Sequence, residues 1–109
     1  MGWLLREGEV LASLEVADTR AARRRGLLGR DSIDGALLLV PARSVHTVGM
    51  RFPIDVAWLD GELTVLRTAS MPRNRLSWPV LTAHSVLEAE AGTFARWDLV
   101  EGDRLELKD

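Results

Sequence analysis

Val45-His-Thr-Val-Gly-Met-Arg-Phe-Pro-Ile-Asp-Val-Ala-Trp-Leu-Asp60 is the stretch on which the reading of this chain turns. Asp60-Gly61 closes it, and that dipeptide favours a type I′ turn between two runs, Ile54–Leu59 and Glu62–Ala69. A two-residue loop there pairs Trp58 with Leu63 and Val56 with Val65 on one face, where the side chains pack across the strands. The first half, Ser44 to Met50, reads as a further strand. His46, Val48 and Met50 share one of its faces, and Val45 and Thr47 share the other.

Strand patterns continue on either side. Trp3 to Arg6 is a short first strand, and Glu7-Gly8 is a turn. Val10, Ala12, Leu14 and Val16 then alternate with Leu11, Ser13 and Glu15. Asp18-Thr19 offers helix N-caps, and Arg20 to Arg25 contains no β-branched residue. The sequence therefore predicts one short α-helix near residues 19–28, ended by Gly26 or Gly29. Gly35-Ala-Leu-Leu-Leu-Val40 is a continuous apolar run closed by Pro41, short enough for a strand covered on both faces. Met71 to Thr82, with Pro72 and Pro79, reads as a long loop of the kind that often serves function. Ser85 to Ala91 alternates again, Gly92 breaks it, and Gly102-Asp103 turns into a last strand, Arg104 to Leu107. Many short strands separated by turn signals predict a mainly β, compact β barrel or sandwich, with residues 1–109 as a single domain.

Composition removes several function classes. The chain has 109 residues, a length that buries roughly two-thirds of its unfolded surface and needs no staples. It has no cysteine, which excludes disulfides, thiolate metal sites and a cysteine nucleophile. With His46 and His84 as its only histidines, a zinc site would need carboxylates to complete it, so neither metal nor cofactor is expected. No phosphate-binding loop, dinucleotide fingerprint or Gly-x-Ser-x-Gly elbow is present. A net charge of −2 gives no global field for nucleic acid. Apolar runs are far shorter than the ~20 residues that span a membrane, and no secretory leader pattern opens the chain. These readings predict a cytoplasmic protein, monomeric and away from membranes.

Several pieces, taken in order, resemble a known family. They are Ala17-Asp18-Thr19, Arg25-Gly26-Leu27-Leu28-Gly29-Arg30, and His46-Thr47-Val48-Gly49-Met50-Arg51-Phe52-Pro53-Ile54-Asp55. Val86-Leu87-Glu88, Ala91-Gly92 and Gly102-Asp103 follow. The chain resembles the domain-of-unknown-function family numbered 192 over nearly its whole length, and the central run is the specific part. The resemblance implies a compact barrel or sandwich with one short helix, and no established activity or accepted catalytic residues. Some members are exported behind a signal peptide, and others have a cysteine shortly after the proline that matches Pro41, where this chain has Ala42.

Five residues form the candidate ligand-binding set: His46, Met50, Arg51, Asp55 and Trp78. His46 is a base or ligand near neutral pH, or else a strand histidine held by hydrogen bonds. Asp55 lies among apolar residues, where a carboxylate must be paired, and Arg51 or His46 is the expected partner. Glu88 and Glu90 share a strand face, and one of them is placed to approach Asp55 across a barrel for acid–base work. Met50, Phe52, Trp58, Trp78 and Trp97 either line a pocket or fill the core. Trp78, in the proline-rich loop, is the one expected to be open to a ligand. The leading reading is a non-enzymatic binding or accessory module for a small molecule or peptide, with Arg51 suited to an anionic group. One alternative is a small hydrolase with His46 as base and Asp55 as its orienting partner. The other is weak RNA or phosphate binding by Arg20, Arg23, Arg24, Arg25 and Arg30, a cluster that is otherwise a solvated helix face.

Overall fold

The computed structural model describes residues 2–109, so residue 1 of the expected 1–109 domain lies outside the described residues. One seven-stranded sheet organises them: β1 (Gly2–Arg6), β2 (Glu9–Ala17), β3 (Ala36–Leu39), β4 (Ile54–Leu59), β5 (Val65–Met71), β6 (Ser85–Glu90) and β7 (Glu106–Lys108), in the order β5-β4-β6-β3-β2-β1-β7. Every pairing is antiparallel except β2 with β3. Between those two strands lies α1 (Arg20–Arg25). The mainly β, compact fold expected from the sequence is what forms, as a single open sheet rather than a closed barrel. Its two edges approach at one end, where Thr64 bridges Arg104 and Val65 receives Gly102.

The sheet is buried on both faces. Ile54, Val56 and Trp58 of β4 join one core with Leu37, Val45, Met50, Phe52 and Val86. Ala57 and Leu59, on the alternate positions, join the other with Leu4, Leu14, Leu38, Leu87 and Phe94. All six residues of β4 are buried for this reason. The Gly35–Val40 run behaves as expected. It supplies β3, flanked by β2 and β6, with Leu38 pointing to one core and Leu37 to the other.

α1 forms where the caps place it. The Thr19 hydroxyl accepts the Ala22 amide at 3.1 Å, and Gly26 ends the helix at φ +46°. A second helix, α2 (Thr93–Trp97), was not expected. It spans five residues, too few for a 3.6-residue period to declare itself.

Several strand assignments need correction. The β4–β5 turn is longer than two residues: Leu59 pairs with Val65, Trp58 with Arg67 and Val56 with Ala69, not Trp58 with Leu63 or Val56 with Val65. The Asp60 carboxylate accepts the amides of Glu62 and Thr64 at 2.9 and 3.0 Å, and Leu63 takes φ +66°. That side-chain-built loop, with the irregularity between Trp58 and Leu59, shifts the register by four at Trp58 and Val56 and moves Val65 to the core of Leu59. Ser44 to Met50 is not a strand either. It is a loop with one isolated bridge, His46 to Leu76. The last strand also sits later than expected, at Glu106–Lys108, and Met71 belongs to β5, which leaves 72–84 without helix or strand.

Candidate functional site

A cavity of about 80 Å³ opens where the C-terminal turn of α1, the 44–50 loop and the centre of the sheet meet. Its walls are mostly apolar: Leu27, Leu28, Leu39, Val45 and Met50. Glu88 of β6 also lines it. In register, Glu88 stands between Leu37 of β3 and Val56 of β4, so its carboxyl rises from an apolar floor. The residue is 3% exposed, and burial pushes its carboxyl from the ordinary 4.5 up to about 7. Among the described residues no protein group donates a hydrogen bond to it. Its oxygens open onto the cavity, where as a neutral acid it offers one donor and one acceptor to whatever enters.

The mouth of the cavity is basic. Arg23, Arg24 and Arg25 all line it, together with Ser44 and His46. Arg23 is tied to the main chain, donating to the carbonyls of Asp18 at 3.0 Å and Val40 at 3.1 Å. Arg24 and Arg25 are exposed and make no ion pair or side-chain hydrogen bond among the described residues. Of the remaining cluster, Arg30 is held in a two-point bridge to Glu15 at 2.6 and 3.1 Å. That bridge lowers the Glu15 pKa and raises that of Arg30.

The loop that carries His46 is held from behind. Thr47, fully buried, donates through its hydroxyl to the Pro72 carbonyl at 2.6 Å and accepts the Arg75 amide at 2.9 Å. The Val45 amide donates to the Ser77 hydroxyl at 2.8 Å, and the Ser77 amide returns to the Val45 carbonyl. Val45 and Thr47 thus face inward and His46 outward to the cavity mouth, which is why the run alternates like a strand without being one. Gly49 then turns at φ +79°, so Met50 comes back to the core.

The five expected residues do not converge. His46 and Met50 line the Glu88 cavity. Arg51 is exposed and pairs with Asp31 at 3.0 Å. Trp78 lines a separate groove beside β5 and is 86% exposed. Asp55 is buried elsewhere. Its register partner is Ala89 and that of Glu88 is Val56, so the two acids occupy opposite faces of the sheet and cannot act as a facing pair. Nor is its partner Arg51 or His46. One oxygen of Asp55 accepts the amides of Gly92 and Phe94, both at 3.0 Å, and the other accepts the Ser70 hydroxyl at 3.2 Å. Asp55 is the carboxylate that ties the start of α2 to the sheet.

Arg24, Arg25 and Glu88 as members of one site were missed. The signal for Glu88 was present: an acid on the same strand face as Val86, in a strand bounded by Gly92. No local pattern brings the end of α1 to it.

The family model DUF192, described as "Uncharacterized ACR", matches residues 4–107. A UPF0127 protein of Thermococcus gammatolerans is 34% identical over 96 residues, covering 83% of this chain. The matched region spans 63% of that relative's length. Two solved structures share the fold at 20% identity and cover 96% of this chain. One is a protein of unknown function from Novosphingobium aromaticivorans, with TM-score 0.80 over 82% of its own chain. The other, from Sinorhizobium meliloti, carries a provisional description as a transcription regulator, with TM-score 0.81 over 90% of its chain.

Proposed function

We propose that this chain, which belongs to the DUF192 family, is a non-enzymatic binding module for a compact anionic small molecule held in the Glu88 cavity. The observation that carries the proposal is Glu88 itself, a buried carboxyl with no protein partner at the floor of an apolar cavity with an arginine rim. A cavity of about 80 Å³ is roughly half of one that holds benzene, so it takes a short polar-ended group of about four heavy atoms. The neutral Glu88 carboxyl donates to an oxygen of that group, and Arg24 and Arg25 meet the anionic remainder. His46 stands at the mouth, where its imidazole can hydrogen-bond the same group. A cytoplasmic location belongs to the same reading, and a chain without cysteine fits a reducing compartment. No helix of the described residues is long and apolar enough to cross a membrane.

The test is a backbone amide NMR titration with propionate and with lactate. The expected result is shift changes confined to residues 24–28, 44–50 and 86–88, lost in Glu88→Leu and weakened in a double Arg24→Ala, Arg25→Ala variant. No saturable shifts, or shifts centred on Trp78 instead, would reject this site. The acid–base alternative finds no support at Asp55, whose oxygens are occupied by Gly92, Phe94 and Ser70.

A further inference from the structure

A second concave feature lies on the far edge of the sheet and shares no residue with the Glu88 cavity. Arg67, Ala69 and Met71 alternate along β5 on the face of Trp58. With the following loop they line a groove of about 300 Å³. β5 has β4 on one side only. Gly102 and Asp103 take the outer backbone groups of Val65. Beyond Val65 the outer edge of β5 has no strand partner among the described residues.

The chemistry beside that open edge is specific. Leu76 and Trp78 are 78% and 86% exposed, the largest exposures among the big apolar residues described. Arg67 and Arg75 line the groove and form no ion pair among the described residues. The Arg67 guanidinium lies 5.9 Å from the centre of the Trp58 ring. An apolar, positively charged groove on a chain of net charge −2 is a local arrangement that the chain's overall balance does not account for.

We propose that this groove docks an extended segment of a partner protein, which adds as a strand to the open edge of β5 and whose groove-facing residues, every second one, are in turn acidic and apolar. Strand addition draws its affinity from main-chain hydrogen bonds and its specificity from alternate side chains. Carboxylates of the segment meet Arg67 and Arg75, and its apolar residues pack against Met71, Leu76 and Trp78. A second copy of this chain is a poor occupant, because edge-to-edge pairing of β5 with itself brings two arginine-bearing strands together. Single-stranded nucleic acid also uses arginine and tryptophan, yet one exposed tryptophan stacks one base and leaves the strand edge unpaired.

The experiment is fluorescence anisotropy on the full chain with three labelled probes: a short peptide repeating Glu-Thr-Val-Thr, which puts glutamate and valine on one face, its lysine-for-glutamate counterpart, and an oligothymidylate. The glutamate peptide is expected to bind saturably and to protect the 66–71 amides from hydrogen exchange. Arg75→Glu and Trp78→Ala, both at exposed loop positions, should each weaken it about tenfold. Arg20→Glu, outside the groove, should leave it unchanged. No saturable binding of the glutamate peptide overturns the proposal. So does equal binding of the lysine peptide, tighter binding of the oligothymidylate, or a dimer that Trp78→Ala dissolves.

Discussion

Asp55→Ala is the substitution that probes the tie between α2 and the sheet. Asp55 is buried, and its carboxylate collects three hydrogen bonds: Gly92 and Phe94 amides on one oxygen, the Ser70 hydroxyl on the other. Truncation leaves the Phe94 amide, in fully buried surroundings, without an acceptor. The Gly92 amide is partly buried and recovers some solvation, and Ser70 is exposed enough to turn to water. One stranded buried donor and the loss of two charge-assisted bonds sum to about 3 kcal/mol. For a domain of this size that lowers the melting temperature by about 15 °C. Asp55→Asn distinguishes the hydrogen bonds from the charge. Its carbonyl can occupy the position that accepts both amides, and its NH₂ can donate to Ser70, so it should cost only about 1 kcal/mol. Urea titration followed by tryptophan fluorescence and far-ultraviolet circular dichroism reads both variants, with an unchanged m-value. Arg51→Ala, in an exposed pair with Asp31, should stay within about 0.5 kcal/mol of the parent. An Asp55→Ala cost below about 1 kcal/mol, or an Asp55→Asn cost equal to it, would refute the capping role.

Four further outcomes follow from the same packing. Because burial holds Glu88 near 7 against 4.5 in the unfolded chain, the folded state binds the extra proton between those values. Its contribution is therefore complete below about pH 4.5 and lost as pH rises through about 7, a fall of about 3 kcal/mol that Glu88→Gln should flatten in urea titrations at several pH values. Leu38→Ala, in the strand between β2 and β6, should cost about 2–5 kcal/mol by denaturant titration. Gly35→Ala should cost about 3 kcal/mol, because its φ is +80° and a Cβ there would press into the Ser13 carbonyl. Gly8→Ala, at φ +78° with open space around it, should cost about 1 kcal/mol, and thermal melts of both glycine variants read the difference.

Elements whose determinants are local were readable from the chain. Thr19 caps α1, Gly26 ends it, and the Ala36–Leu39 run is apolar throughout because both of its faces are covered. The β4–β5 register was not readable, since Asp-Gly signals a turn but not the pair of amides that the Asp60 side chain gathers behind it. Ser44–Met50 looked like a strand because Val45 and Thr47 do alternate with His46. Their partners are the 72–77 loop, whose own pattern is silent. Asp55 was correctly read as a carboxylate that must be satisfied. Its partners Gly92 and Phe94 lie 37 and 39 residues away, beyond the reach of any local motif. The site was half legible for the same reason: His46 and Met50 stood out, while Glu88 resembled a solvent-facing strand residue until β3 and β4 enclosed it.

The central claim is that the Glu88 carboxyl, held by no protein group and facing the cavity, binds an anionic ligand, and carbon-13 NMR of that carboxyl tests it directly. The account predicts a titration midpoint at about 7 in the free protein, rising further with lactate present, because the neutral acid is the form that binds an anion. A midpoint at the ordinary carboxylate value, or one that lactate leaves unmoved, would contradict it.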